Sequence, residues 1–129
     1  MTTFVIREKE NGVLAPLGYV IQRLSFLVAT TWCFRNTQVH VGRPFGLSVQ
    51  EFGRLTRQSP SGYCVADRDM RMFIDADIQV IDGEIDAVAE DGTRLVTIAC
   101  EDATQWEIST ALPELALEME RKGFAKQVG

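Results

Sequence analysis

Two Asp-Gly pairs, Asp82-Gly83 and Asp91-Gly92, interrupt a long alternation of apolar and polar residues running from Asp75 to Thr110. Alternation with period two marks strands with one wet face, and Asp-Gly favours tight hairpin turns because both central residues take positive φ. Together they predict a four-stranded antiparallel meander over about residues 72–110. A two-residue turn at Asp82-Gly83 pairs Val80 with Ile85 and places Ala76, Ile78, Val80, Ile85, Ala87 and Ala89 on one face. Val96, Ile98 and Cys100 follow on the third strand, and Trp106 and Ile108 on the fourth. Setting Ile98 opposite Trp106 needs an odd loop, which predicts three turn residues, Glu101-Asp102-Ala103. The other face then carries Asp75, Asp77, Glu84, Asp86 and Glu107, so the sheet is half-buried with an acidic wet side.

The flanking segments supply the cover. Pro16 suits a helix start, and Leu17, Val20, Ile21, Leu24, Leu27, Val28 and Thr31 follow helical spacing, predicting a buried helix over about 16–31. Tyr19, Phe26 and Trp32 fill much of its other side. A second helix follows from Pro113 to Lys122, with Gly123 as its C-terminal cap and a loose tail from Phe124. Before the first helix, Thr2–Glu10 reads as an edge strand, with Asn11-Gly12 turning into Val13-Leu14. Gln38–Val41 reads as a short strand. Ser48 and Glu51 form a capping box that opens a helix to about Arg57. The expected architecture is one α+β domain over residues 1–129.

The 46% apolar and 24% charged composition suits such a globular domain. The longest charge-free run, Leu24–Phe34, has 11 residues, against the roughly 20 that a membrane-spanning helix needs. Met1–Glu10 lacks the basic-then-apolar order of a secretory leader, so the expected location is cytoplasmic. Cys33, Cys64 and Cys100 are widely spaced and read as small buried hydrophobes in a reducing compartment. His40 is the only histidine, so no metal site is expected, and no cofactor motif is present.

Charge is unevenly distributed. Residues 1–72 hold nine Lys/Arg against five Asp/Glu, net +4, whereas residues 73–113 hold one Arg against ten Asp/Glu, net −9. That layout, without a catalytic constellation, predicts a non-enzymatic binding protein of the inhibitor or immunity type. Its acidic face, Asp75, Asp77, Glu84, Asp86 and Glu107, would engage a basic protein partner. An alternative is a small-ligand pocket lined by Tyr19, Phe26, Trp32 and Trp106. The stretch Leu47–Ser61 also resembles the first helix and turn of a repressor-type helix-turn-helix, with Tyr63 and Arg68 on a second helix. That resemblance implies DNA binding through residues 47–68, although Arg57 stands where such turns place glycine. Finally, a helix apolar on so much of its circumference predicts a homodimer in which Tyr19, Phe26 or Trp32 meets its symmetry mate.

Overall fold

The computed structural model describes residues 1–73 and 78–127. Strand β1 (Thr2–Ile6) precedes a small hairpin of β2 (Lys9–Glu10) and β3 (Val13–Leu14), which turns at Asn11-Gly12 as expected. Helix α1 (Leu17–Arg23) leads into the long strand β4 (Thr31–Val41). A 3-10 turn at Pro44–Gly46 and helix α2 (Val49–Arg57) follow, then β5 (Tyr63–Ala66) and α3 (Asp67–Phe73). The chain ends with β6 (Gln79–Val88), β7 (Arg94–Cys100), β8 (Trp106–Thr110), α4 (Pro113–Arg121) and β9 (Ala125–Lys126). The result is an α+β fold in which seven of these strands form one antiparallel sheet, in the order β5-β4-β6-β7-β8-β1-β9.

The expected meander is therefore the centre of a larger sheet, and its first turn does not exist. β6 runs straight through Asp82-Gly83 because β4 lies alongside it as an eleven-residue partner. Pairing on both edges satisfies more backbone groups than an isolated hairpin would. Between the pairs Arg35↔Glu84 and Gln38↔Asp82, one residue of β6, Gly83, faces two of β4, Asn36 and Thr37. This is a bulge, with Asn36 at φ 47°. Gly83 has φ 156°, and an added Cβ would sit 2.6 Å from the Thr37 hydroxyl oxygen. The glycine that reads as a turn former is thus required by a close strand approach.

Across this irregular stretch the buried set switches from Ile78 and Val80 to Ile85 and Ala87. The phase shift keeps the predicted core face intact, as the predicted turn would have done. Asp91-Gly92 does form a turn: Gly92 N–H donates to Ala89 at 2.9 Å and Ala89 N–H to Thr93 at 2.8 Å. The β7–β8 loop has five residues rather than three, because Cys100 pairs with Trp106 and Ile98 with Ile108. Both lengths are odd, so the predicted faces survive a two-residue error in register.

Helix α1 is less than half its predicted length. Leu24 caps it, and Trp32 and Phe34 instead enter the core from β4. Thr31-Trp32-Cys33-Phe34 is a run of strand-favouring residues, and in β4 it gains backbone partners from both β5 and β6. Trp32 is thereby taken into the core and Tyr19 and Phe26 are part-buried against it, while Val28 stays 87% exposed, so the apolar surplus that suggested a homodimer is partly taken up within the chain. α4 stops at Arg121, one residue early, and the tail is docked. Phe124 packs edge-on against Phe4 and Phe26, with centroids 6.3 and 6.2 Å away, and β9 pairs with β1. Buried residues of all four helices, Ile21, Phe52, Met70 and Met119 among them, join one core with the inner face of the sheet. The opposite face is the one left to build a site.

Candidate functional site

Strand registers place the outward-facing side chains in rows across the sheet. One row reads Cys64, Cys33, Asp86, Thr97, Ser109, Thr3, and the next reads Arg35, Glu84, Ala99, Glu107, Val5. Of the five predicted partner-binding carboxylates, Glu84, Asp86 and Glu107 lie on this face. Glu84 and Glu107 share a row, separated by Ala99 and hence by about 10 Å of strand spacing. Asp75 and Asp77 fall outside the described residues.

The rows bring cations among the acids. Asp86 is only 5% exposed, and an ionised carboxylate at such a position is tolerable only with partners. It receives the Arg35 Nε at 2.9 Å and Nη2 at 3.3 Å, and the Thr97 hydroxyl at 2.7 Å. The Arg94 guanidinium stands 3.5 Å away. Arg35 also meets Glu84 at 2.7 Å. Burial works against the charge on Arg35, but hydrogen bonding to Asp86 and attraction by Asp86 and Glu84 outweigh it, and its pKa is raised. The middle of the predicted acidic face is therefore an ordered ion-pair network. Sequence reasoning missed Arg35 because it fell between the predicted helix, ending at about residue 31, and the predicted short strand Gln38–Val41, whereas β4 runs unbroken from Thr31 to Val41. The missed signal was the alternation of Trp32, Phe34 and Val39, broken at the Asn36-Thr37 bulge.

Acid without a counter-charge collects at the rim. Among the described residues Asp82, Glu101, Asp102 and Glu107 make no ion pair. The β7–β8 loop is fixed there: Asp102 N–H donates to the Asp82 carboxylate and Ala103 N–H to the Ile81 carbonyl, both at 2.9 Å. Beneath it lies the Cys100 thiol. Burial, with the Asp82 and Asp102 charges adding to it against a bond from the Ala103 N–H, pushes its pKa up to about 11.

Cys33 and Cys64, expected to be separate buried thiols, are joined as a disulfide across the β4–β5 pair. Residues 31 apart in sequence gave no hint of the pairing. Bonds of this kind persist in oxidising compartments, which weighs against the cytoplasmic expectation. No helix among the described residues is long and apolar enough to cross a membrane. Likewise, among those residues no group of three or more His, Cys, Asp or Glu side chains is placed to hold a metal ion.

The four aromatics of the ligand-pocket alternative are not brought together. Trp32 and Trp106 are fully buried, donating their indole N–H to Asp67 at 2.8 Å and to the Ala15 carbonyl at 2.9 Å. Phe26 packs on Phe124 beneath the Lys122 ammonium. Tyr19 lines a recess of about 710 Å³ between the β2–β3 hairpin and the start of α1. The helix-turn-helix resemblance also fails as geometry. Ser48 caps α2 as expected, accepting the Glu51 N–H at 3.1 Å, but the next element is strand β5, which carries Tyr63 into the sheet edge. No protein-family model, curated protein or solved structure matches the chain.

Proposed function

We propose that this chain is a non-enzymatic binding domain that docks a basic protein partner on the open face and acidic rim of its sheet. The observation that carries the reading is the charge left over once internal pairing is counted. Asp82, Glu84, Asp86, Glu101, Asp102 and Glu107 share this region with three guanidiniums, Arg7, Arg35 and Arg94. The cations are engaged by Asp86, Glu84 and Gln105, so the excess is concentrated at Asp82, Glu101, Asp102 and Glu107. Carboxylates held on strands and a pinned loop lose little conformational freedom on binding, which favours affinity as well as electrostatic steering. A double reversal, Glu101→Lys and Glu107→Lys, avoids both the Arg35 network and the Asp82 carboxylate that holds the β7–β8 loop, and should leave the fold intact by circular dichroism. Co-purification from the native host should then lose a Lys- or Arg-rich protein that the wild type retains. Equal recovery on both baits would exclude this face.

A second reading is favoured by a separate observation. Val13 and Val41, 51% and 47% exposed, both line the 710 Å³ recess beside Tyr19, a size suited to a small ligand. Ala15, whose carbonyl accepts from Trp106, lines it too. Tryptophan emission should respond if a small molecule occupies it, and an unresponsive library screen would count against that use.

A further inference from the structure

The outer face holds a smaller recess of about 380 Å³, lined by Cys33, Arg35, Pro60, Ser61, Asp86, Val88, Gly92 and Arg94. Cys33, one half of the disulfide, therefore lines a hollow whose wall also includes two arginines, Arg35 and Arg94. We propose that the Cys33–Cys64 disulfide is a thiol-exchange site, at which a small carboxylate-bearing thiol enters this recess and is captured as a mixed disulfide on Cys33.

Direction supports Cys33 as the sulfur attacked. Exchange proceeds when a thiolate attacks one sulfur in line with the bond and expels the other. The strand order is β5-β4-β6, so a thiolate approaching Cys33 opposite to Cys64 comes in over β6, where the recess lies. Charge supports the class of thiol. Asp86 is already bound by Arg35 and Thr97, whereas Arg94 is 63% exposed and holds Asp86 only at 3.5 Å. Arg94 can therefore exchange its long contact with Asp86, which keeps Arg35 and Thr97, for an incoming carboxylate, which a guanidinium matches well. Among the described residues, carboxylates beside these guanidiniums include Asp86 in the lining itself, Glu84, paired with Arg35 at 2.7 Å, and Glu90 and Asp91 in the turn before Arg94.

The step is balanced without a further reagent. The thiolate sulfur forms a new S–S bond to Cys33, the Cys33–Cys64 bond breaks, and its electron pair leaves on Cys64. Cys64 is exposed and takes a proton from water; its sulfur lies 3.7 Å from the Ser61 carbonyl, an acceptor for the S–H so formed. One disulfide is exchanged for another, with no net oxidation.

The test uses three probe thiols, mercaptosuccinate, 2-mercaptoethanol and cysteamine, with rates of adduct formation on the full chain normalised to thiolate concentration and to each thiolate's own rate with an uncharged small disulfide, which removes differences in intrinsic nucleophilicity. Intact mass should show one adduct, and peptide mapping should place it on Cys33. Buried Cys100 should stay unmodified. The anionic probe should react about tenfold faster than the cationic one, each sign of charge beside a guanidinium contributing a few-fold. The chain's net charge of −5 would by itself give the opposite order, so the preference reports the recess. The ratio should fall toward one in Arg94→Gln and, for the unmodified chain, in molar salt. A faster cationic probe, an adduct on Cys64, or no exchange without denaturant would overturn the proposal.

Discussion

Replacing Thr56 by Val tests how the bulge that redirects the sheet is held. The register break at Asn36-Thr37 leaves the Thr37 N–H without a ladder partner on β6, deep inside a residue 1% exposed. Thr56 on α2, equally buried, supplies the acceptor: its hydroxyl oxygen lies 3.0 Å from the Thr37 nitrogen and donates to the Gly53 carbonyl at 2.9 Å. Valine keeps the shape and β-branching but offers no acceptor, so a buried N–H is orphaned at a cost of about 1–3 kcal/mol. The extra methyl offsets somewhat under 1 kcal/mol of that. The net loss should be about 1.5 kcal/mol; with a urea m-value of about 1.5 kcal/mol/M, the midpoint should fall by about 1 M. Thr56→Ser keeps the hydroxyl and loses only a buried methyl, about 0.8 kcal/mol, so its midpoint should fall by less than that of Thr56→Val. If Val and Ser are equally mild, or Val raises the midpoint, the hydroxyl does not hold the bulge and the reasoning is wrong.

Gly83→Ala should destabilise by more than about 2 kcal/mol, because both its φ and Thr37 oppose a Cβ. Gly92→Ala, where φ is 89° and nothing lies within 4 Å, should lose about 1 kcal/mol through backbone strain alone; equal thermal shifts would contradict the close approach. Asp86→Asn should cost about 2 kcal/mol, discounted from a fully buried pair because Arg35 is 27% exposed. Glu84→Gln, half exposed, should cost at most about 0.5 kcal/mol in the same urea titration. For Cys100 the raised pKa means that above the ordinary thiol value of 9.0 the unfolded chain releases a proton that the folded chain keeps until about 11. Stability attributable to the neutral thiol is complete below pH 9 and is lost between pH 9 and 11. The stability of the unmodified chain should therefore fall more steeply across that window than that of Cys100→Ala, and parallel curves would refute the shift.

Parity was legible in the sequence, and partnership was not. Alternation identifies which residues of β6, β7 and β8 face the core, and these assignments survived the loss of one turn and a two-residue change in another. They survived because an odd loop conserves faces whatever its length, and because the bulge opposite Gly83 shifts phase just as a hairpin would. Asp82-Gly83 shows why local chemistry misleads. The same residue that permits a turn also permits a backbone approach, and only a partner strand decides between them. That partner, β4, is legible only at its end, as Gln38–Val41, since Leu24, Leu27, Val28 and Thr31 continue a helical spacing past the true end of α1 and into the start of the strand. Everything distinctive on the outer face depends on β4. It carries Arg35 into the carboxylates, Cys33 opposite Cys64, and Thr37 against α2. A site assembled from pairings 31 and 51 residues apart leaves no local trace, whereas the excess carboxylates at Asp82, Glu101 and Asp102 are local and can be read directly. The acidic character of segment 73–113 and the neutrality of its centre are thus both true, and the proposed docking surface lies where β4 supplies no cation.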